Sequence, residues 1–520
     1  MALTQTRPST EQSGSVSGGD PAAPSGFEET IGSGDHLVVG RLFVGFSFFY
    51  LALSALGLLL AGIDGLSEDG LLGLPVALWS SAPVAFVLLG AIPLLLGLAI
   101  HVVPLQVGSP AIAFPRAAAL SLWGWVVSSG IFLVGVALDG GIGGEDLESS
   151  RLSSVALGGV MVSLSLGAVC VATTVLSHRP LGMGLSKVPY FSWSMLVAAP
   201  VWIMTFGSMA AHVFLGRISL ADAPGLLERW VDGMAWSMRV PSIYMVAIPA
   251  LGLAADVAAK SVGRRVSPYG VVQALIAAYA VFSFGAWAQT PRALQTVLWV
   301  LWVLVAAVPV MGVLGAVLDT LRRGRPTGSS ALAGALLVFL LLLGGVLSGA
   351  LQGLDTAGKG QLFGFDTAAL ELAQTYFLFG AALLGAVAGL ANWSRRIYGA
   401  PGAEGQAKGV LAASLLGAGL LGTMFLAEGI AGAAEQSMST ELLSALAAAG
   451  GLLVLLASLG GMVFAGGASR AGSSRPDADD ESGLTLEWSV VGSGDQRTLE
   501  YVNSPYPLLD LRGDADKERS

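Results

Sequence analysis

Four histidines, His36, His101, His178 and His212, and one cysteine, Cys170, are the only imidazole and thiol side chains in the 520 residues. Neutral imidazole suits iron and copper, but a site needs two or more rings that converge in space. His101 opens the stretch HVVPLQVGSPAIAFPR (101–116), whose three prolines and Arg116 read as a helix end and a tight loop. That placement makes His101 an interfacial residue near the headgroups. His36 stands at the entry to the first apolar run, His178 in a basic loop, and His212 at the end of the fifth run. Cys170 lies alone inside an apolar run, which excludes an internal disulfide or a cysteine cluster and leaves a packing role. Arg239, Asp256, Glu371 and Glu428 are the second set of candidates, because ionisable groups in hydrocarbon are expensive and often functional. All four stand near the ends of apolar runs, from which their side chains can snorkel to water. A sharper alternative puts Glu371 in the interior, binding an ion or pairing with Arg239.

The elements that must position these groups follow from composition. Hydrophobic residues make up 54% of the chain and charged residues 12%, more apolar side chain than a soluble surface can cover. Apolar runs near 38–61, 77–103, 117–138, 154–176, 193–215, 241–258, 270–288, 295–317, 331–351, 372–391, 410–428 and 441–466 predict about twelve spans. They are too long for barrel strands, so the fold class is an all-α polytopic membrane protein, with the lipid bilayer as its first partner. Residues 1–33 read as a disordered tail, 34–466 as the membrane domain and 467–520 as a short polar tail. One alternating set of loops carries Arg116, Arg179, Lys187, Lys260, Arg264, Arg265, Arg322, Arg323, Arg325, Arg395, Arg396 and Lys408. The other set carries Asp64, Glu68, Asp69, Asp139, Glu145, Asp146 and Glu148. Basic loops stay cytoplasmic, which predicts a plasma-membrane protein with both termini inside. No nucleic-acid partner is expected of a chain with net charge −9.

The punctuation of the runs carries a resemblance. In order come DHLVVGRLF (35–43), VVPLQVGSPAIAFPR with LSLW after it, and GAVCVATTVLSHRPLGMGLSKVPYFSW (167–193). VPSIYMVAIPALG (240–252), YGVVQALIAAYAVFSFGAWA (269–288), FDTAALELAQTYFLFG (365–380), GLANW (389–393), TLEW (485–488) and SPYP (504–507) follow. From about 34 to 510 the chain resembles subunit I of the haem-copper oxidases, the catalytic subunit of cytochrome c oxidase, in its twelve-helix form. The resemblance implies a twelve-helix bundle in three arcs. It also implies two haems and a copper, held by six histidines.

Those six positions hold no histidine here. The haem-ligand positions that the resemblance implies fall on Ser81, Ala373 and Thr375, and the copper-ligand positions on Val240, Gln289 and Thr290. Ser242 stands where a glutamate that carries protons is usual. The proton-entry carboxylate and its asparagine neighbours become Ala111, Ala118 and Ala119, and the expected lysine falls near Val313. The arginines that would hold haem propionates have no counterpart in FLAEGIAGAAEQ (425–436). Tyr244, Glu371, Gln374 and Asp366 remain as a residual polar core. The resemblance implies that Asp366 belongs to a site that binds magnesium in the family, with Phe365 in place of its histidine.

Three functions are open on these residues. The leading one is a relative that has lost oxygen reduction and proton pumping, retained as a structural, assembly or regulatory partner of a respiratory electron-transport complex. The others are an active terminal oxidase with unusual ligands and a transporter that uses the vacated core. No haem, copper or other cofactor is expected, and neighbouring Leu, Phe and Trp side chains are expected to fill the space.

Overall fold

Lipid offers no partner to a bare N–H or C=O, so segments that span it close their hydrogen bonds internally. The computed structural model describes residues 32–510 except 68–69, 143, 223–240, 289–296, 357–362, 472–482 and 489–501. Among the described residues run twelve long helices: α1 (His36–Asp64), α2 (Ala77–Gln106), α3 (Pro115–Ala137), α4 (Leu147–Ser177), α5 (Tyr190–Asp222) and α6 (Pro241–Val262), then α7 (Tyr269–Ala288), α8 (Val297–Arg323), α9 (Ser330–Thr356), α10 (Thr367–Tyr398), α11 (Glu404–Ala431) and α12 (Thr440–Ala471). Among the described residues ten of these, α1–α6 and α9–α12, are long and apolar enough to cross a bilayer. The chain is therefore an all-helical, multi-span membrane protein.

The helices outrun the apolar runs because hydrocarbon sets only the middle of each. Polar turns extend the ends until a cap stops them. Asp146 accepts the Ser149 amide at 2.7 Å to open α4, and Asp366 accepts those of Ala368 and Ala369 at 3.0 and 3.2 Å to open α10. The break expected at Pro104 comes later, since Pro104 lies inside α2, which ends at Gln106. There Gly108 takes φ +68°, and the Ser109 amide returns to the Pro104 carbonyl at 2.8 Å. Pro115 then occupies the first turn of α3, where its missing N–H costs nothing.

Burial sorts the helices into centre and rim. Over its apolar window α2 is wholly buried, α10 is 89% buried and α6 83%, against 39% for α3 and α12. The rim helices turn Leu120, Val127 and Val134, and Leu452, Leu456 and Val463, outward. An apolar exterior of that extent belongs against lipid. Inside, α1 and α2 cross at glycines. A Cβ on Gly97 would lie 2.7 Å from Phe43 Cβ, and one on Gly40 would lie 2.7 Å from His101 Cβ. Small residues at such crossings let helix backbones approach closely.

α2 is not a uniform helix. Phe86–Ala91 forms a π-turn between two α-helical stretches, and the Ile92 amide reaches back to the Val87 carbonyl. Pro93, which follows at once, has no N–H and crowds the carbonyl four residues before it, and one widened turn relieves both. The π-turn is entirely buried and places Phe86 against α10.

Two parts of the chain after α12 pack on the end of the bundle that carries the basic loops. The Val502 amide donates to the Leu181 carbonyl at 2.8 Å, and the Leu508 amide to the Leu484 carbonyl at 3.3 Å. Lys187 bonds Asn503, and Arg265 pairs with Asp510.

Candidate functional site

Ser81 lies five residues into α2 and is 1% exposed. Its hydroxyl accepts the Ile142 amide at 2.9 Å, and neighbouring Ser80 donates to the Ile142 carbonyl. Two serines thus staple the α3–α4 loop over the start of α2. The residue at a haem-ligand position implied by the resemblance bonds a loop instead, because a serine beside a free backbone amide takes that amide first.

On α10, Ala373 is fully buried and offers a methyl group. Thr375 donates to the Glu371 carbonyl one turn back at 2.9 Å, so its hydroxyl serves its own helix. Gln374, between them, is buried and donates to the Gly345 carbonyl of α9 at 3.3 Å. Glu371 accepts from Gln352 at 2.7 Å. Tyr244 is buried on α6, its ring 4.9 Å from that of Tyr279. Asp366 spends its carboxylate on the cap of α10. The structure therefore does not bring Ser81, Ala373, Thr375 and Asp366 into one donor set. Val240, Gln289, Thr290 and Arg239 lie outside the described residues.

Aromatic rings occupy the centre near these positions. Phe86 from the π-turn stacks on Phe379 at 4.9 Å and meets Tyr376 edge-on at 6.1 Å. Tyr376 in turn lies parallel to Phe425 of α11 at 5.6 Å. Phe86 and Phe379 are both fully buried. Offset and edge-on pairs add dispersion and quadrupole attraction to simple burial. Among the described residues, no three His, Cys, Asp or Glu side chains stand together as a metal would require.

The His101 ring is turned inward. Although it stands near the end of α2, it is 1% exposed, between the Leu37 carbonyl (3.1 Å from Nδ1) and the Arg396 carbonyl (3.3 Å from Nε2). It joins α1, α2 and α10, where a snorkelling ring would have to leave the core. His36 lies beside Asp35 at 3.5 Å, His178 caps the end of α4, and His212 bonds the Ser208 carbonyl at 2.8 Å.

Asp256 corrects the snorkelling reading. It is 9% exposed and turned inward, accepting the Tyr190 and Phe191 amides at 3.1 and 2.9 Å and the Gln106 side-chain amide at 3.1 Å. The free amides at the start of α5 are satisfied by a carboxylate from α6, which suits the positive end of the helix dipole. Gln106 also donates to Glu487 at 3.3 Å and accepts from the Ser192 hydroxyl at 2.6 Å, and Trp393 donates to Glu487 at 3.2 Å. Sequence reasoning used TLEW as a marker and missed that its glutamate is 2% exposed inside the bundle end. A charged residue beside a tryptophan in a polar tail was the available signal. Glu428 does stay near its helix end, accepting the Met438 amide at 2.8 Å.

The described residues do not fit the group that the resemblance implies. A haem iron needs an imidazole or another strong donor, whereas these positions hold a serine committed to a loop, an alanine, and a threonine committed to its own helix.

Comparison with known proteins agrees with the fold. The model of the family "Cytochrome C and Quinol oxidase polypeptide I" matches residues 83–463. Quinol oxidase subunit 1 of Bacillus subtilis is 23% identical over 293 residues, covering 50% of this chain and 44% of the relative. Cytochrome c oxidase subunit 1 of Corynebacterium glutamicum is 26% identical over 284 residues, covering 49% of this chain and 47% of the relative. The chain thus spans about half the length of the curated relatives it matches. A heme-copper terminal oxidase dimer solved by cryo-EM superposes with a TM-score of 0.64 at 13% identity, over 94% of this chain and 90% of that one. The family model covers well over half of the chain and the helices follow the same fold, so this chain belongs to the cytochrome c and quinol oxidase polypeptide I family.

Proposed function

We propose that this chain is a non-catalytic member of its family, without haem or copper, that serves as a structural, assembly or regulatory partner of a respiratory complex in the plasma membrane. The observation that carries this reading is the fate of the haem positions. Ser81 holds a loop, Ala373 offers a methyl group, and Phe86 and Phe379 stack nearby. Once the ligands are gone, the packing frame can persist without the chemistry, because fold and site are separable. Its partners are the bilayer and other subunits of such a complex.

Two experiments test it. Pyridine haemochrome and metal analysis of the purified chain should return no stoichiometric haem or copper. One haem per chain would overturn the reading. For orientation, reporter fusions in the Glu145 loop should report the outside and fusions beside Arg322 the cytoplasm. The reverse pattern would place both termini outside.

A further inference from the structure

Asp256 of α6 and Glu487 of the TLEW segment are 9% and 2% exposed, and a single side-chain nitrogen serves both. Gln106 Nε2 lies 3.1 Å from Asp256 Oδ2 and 3.3 Å from Glu487 Oε1. The orientation of that amide is forced, because Gln106 Oε1 accepts the Ser192 backbone amide at 3.2 Å and the Ser192 hydroxyl at 2.6 Å. The other donors are neutral as well: the Tyr190 and Phe191 amides on Asp256, and the Trp393 indole on Glu487. Glu487 Oε2 is buried and has no hydrogen-bond partner among the described residues. Neither carboxylate makes an ion pair.

The charged groups nearby are engaged elsewhere. Lys260, one turn after Asp256 on α6, and Arg396 of α10 lie over the Trp488 ring at 3.2 and 5.6 Å, and Arg265 pairs with Asp510. Tyr190 of α5, Tyr269 of α7 and Tyr506 are the phenols in electrostatic range of Asp256. Phenols stay neutral below about pH 10. Two buried carboxylates on one neutral donor are costly when both are charged, because burial strips each of water and like charges oppose each other. One proton removes the second charge.

We propose that Asp256 and Glu487 together hold one proton, and that its loss to solvent at alkaline pH unlatches the 483–488 segment from the bundle. The proton belongs to the pair, not to either residue. Unlatched, Glu487 returns to water, where a carboxyl gives up its proton above about pH 4. The latched state then binds one proton more than the unlatched one. Latching is therefore complete in acid, and it weakens by up to about tenfold per pH unit until the latched pair itself loses the proton. The device does not depend on whether the oxidase centre is present.

The test uses the full chain in neutral detergent, labelled with fluorotryptophan, with the Trp488 fluorine resonance assigned through Trp488→Phe. From about pH 5 to about pH 9, between the ordinary carboxylate and amine ranges, the buried Trp488 line should give way to a solvent-exposed one. Glu487→Gln sets a neutral amide of the same shape beside Asp256, as the proton does, so its Trp488 line should stay buried throughout. Asp510→Asn, in the same tail but outside the pair, should keep the course of the unaltered chain. In parallel, the acid-minus-alkaline infrared difference should show the C=O stretch of a protonated carboxyl, present in Asp510→Asn and absent in Glu487→Gln. A Trp488 line that does not move with pH, a Glu487→Gln protein that follows the unaltered chain or is exposed at every pH, or an infrared band that survives Glu487→Gln would each overturn the shared proton.

Discussion

Asp256→Ala is expected to destabilise the detergent-solubilised protein by about 3–5 kcal/mol. The side chain satisfies three donors at once, the Tyr190 and Phe191 amides and the Gln106 side chain. Each donor left unpaired in a buried setting costs about 1–3 kcal/mol, and removing a buried carboxylate recovers part of that sum. Asp256→Asn keeps one accepting oxygen but turns an NH2 toward a backbone N–H, so about half the loss should remain. Asp319→Ala is the control, because its pair with Arg323 at 2.9 Å lies on the surface and is worth less than about 1 kcal/mol. Reversible unfolding in mixed micelles measures all three. If Asp256→Ala and Asp319→Ala proved equal, the inward carboxylate would not be holding the start of α5.

Gly97→Leu should prevent the folded chain from accumulating, and Gly97→Ala should cost about 1–3 kcal/mol through overpacking. A Cβ at this position meets Phe43 Cβ at 2.7 Å and the Gly40 carbonyl at 3.1 Å. Neither can retreat, since Phe43 is fully buried against Trp125 and the carbonyl belongs to α1 itself. Gly45, on the same helix as Gly40, has nothing within 4 Å of a Cβ, so Gly45→Ala should be neutral or stabilising by up to about 1 kcal/mol. Thermal unfolding followed by size-exclusion recovery checks the contrast. A Gly97→Ala variant as stable as Gly45→Ala would mean that α1 and α2 do not cross where the structure places them.

The helices were legible because hydrocarbon demands long apolar runs, and their order was legible from loop punctuation such as AFPR and TLEW. Partners across the bundle were not. Asp256 sits near the end of an apolar run, and by sequence alone that is where a snorkelling side chain belongs. Its actual partners are backbone amides more than sixty residues earlier, which no local pattern announces. His101 shows the same blindness, since its neighbours are carbonyls on α1 and α10. Ser81 could be identified as a lost ligand position, yet its bond to Ile142 depends on how an acidic, glycine-rich loop folds back. The π-turn at Phe86–Ala91 had a readable cause in Pro93, but which ring it would push onto Phe379 did not.

Glu487 also imposes an order of events on biogenesis. Gln106 and Trp393 belong to α2 and α10, yet the acceptor they share is synthesised only after the last residue of α12. Until then the end of α2 and the end of α10 hold polar groups facing an unfinished wall. A chain interrupted after α12 would carry these twelve helices and an incomplete surface. Docking of the 483–488 segment therefore marks, in a single contact, that synthesis has run past the last helix.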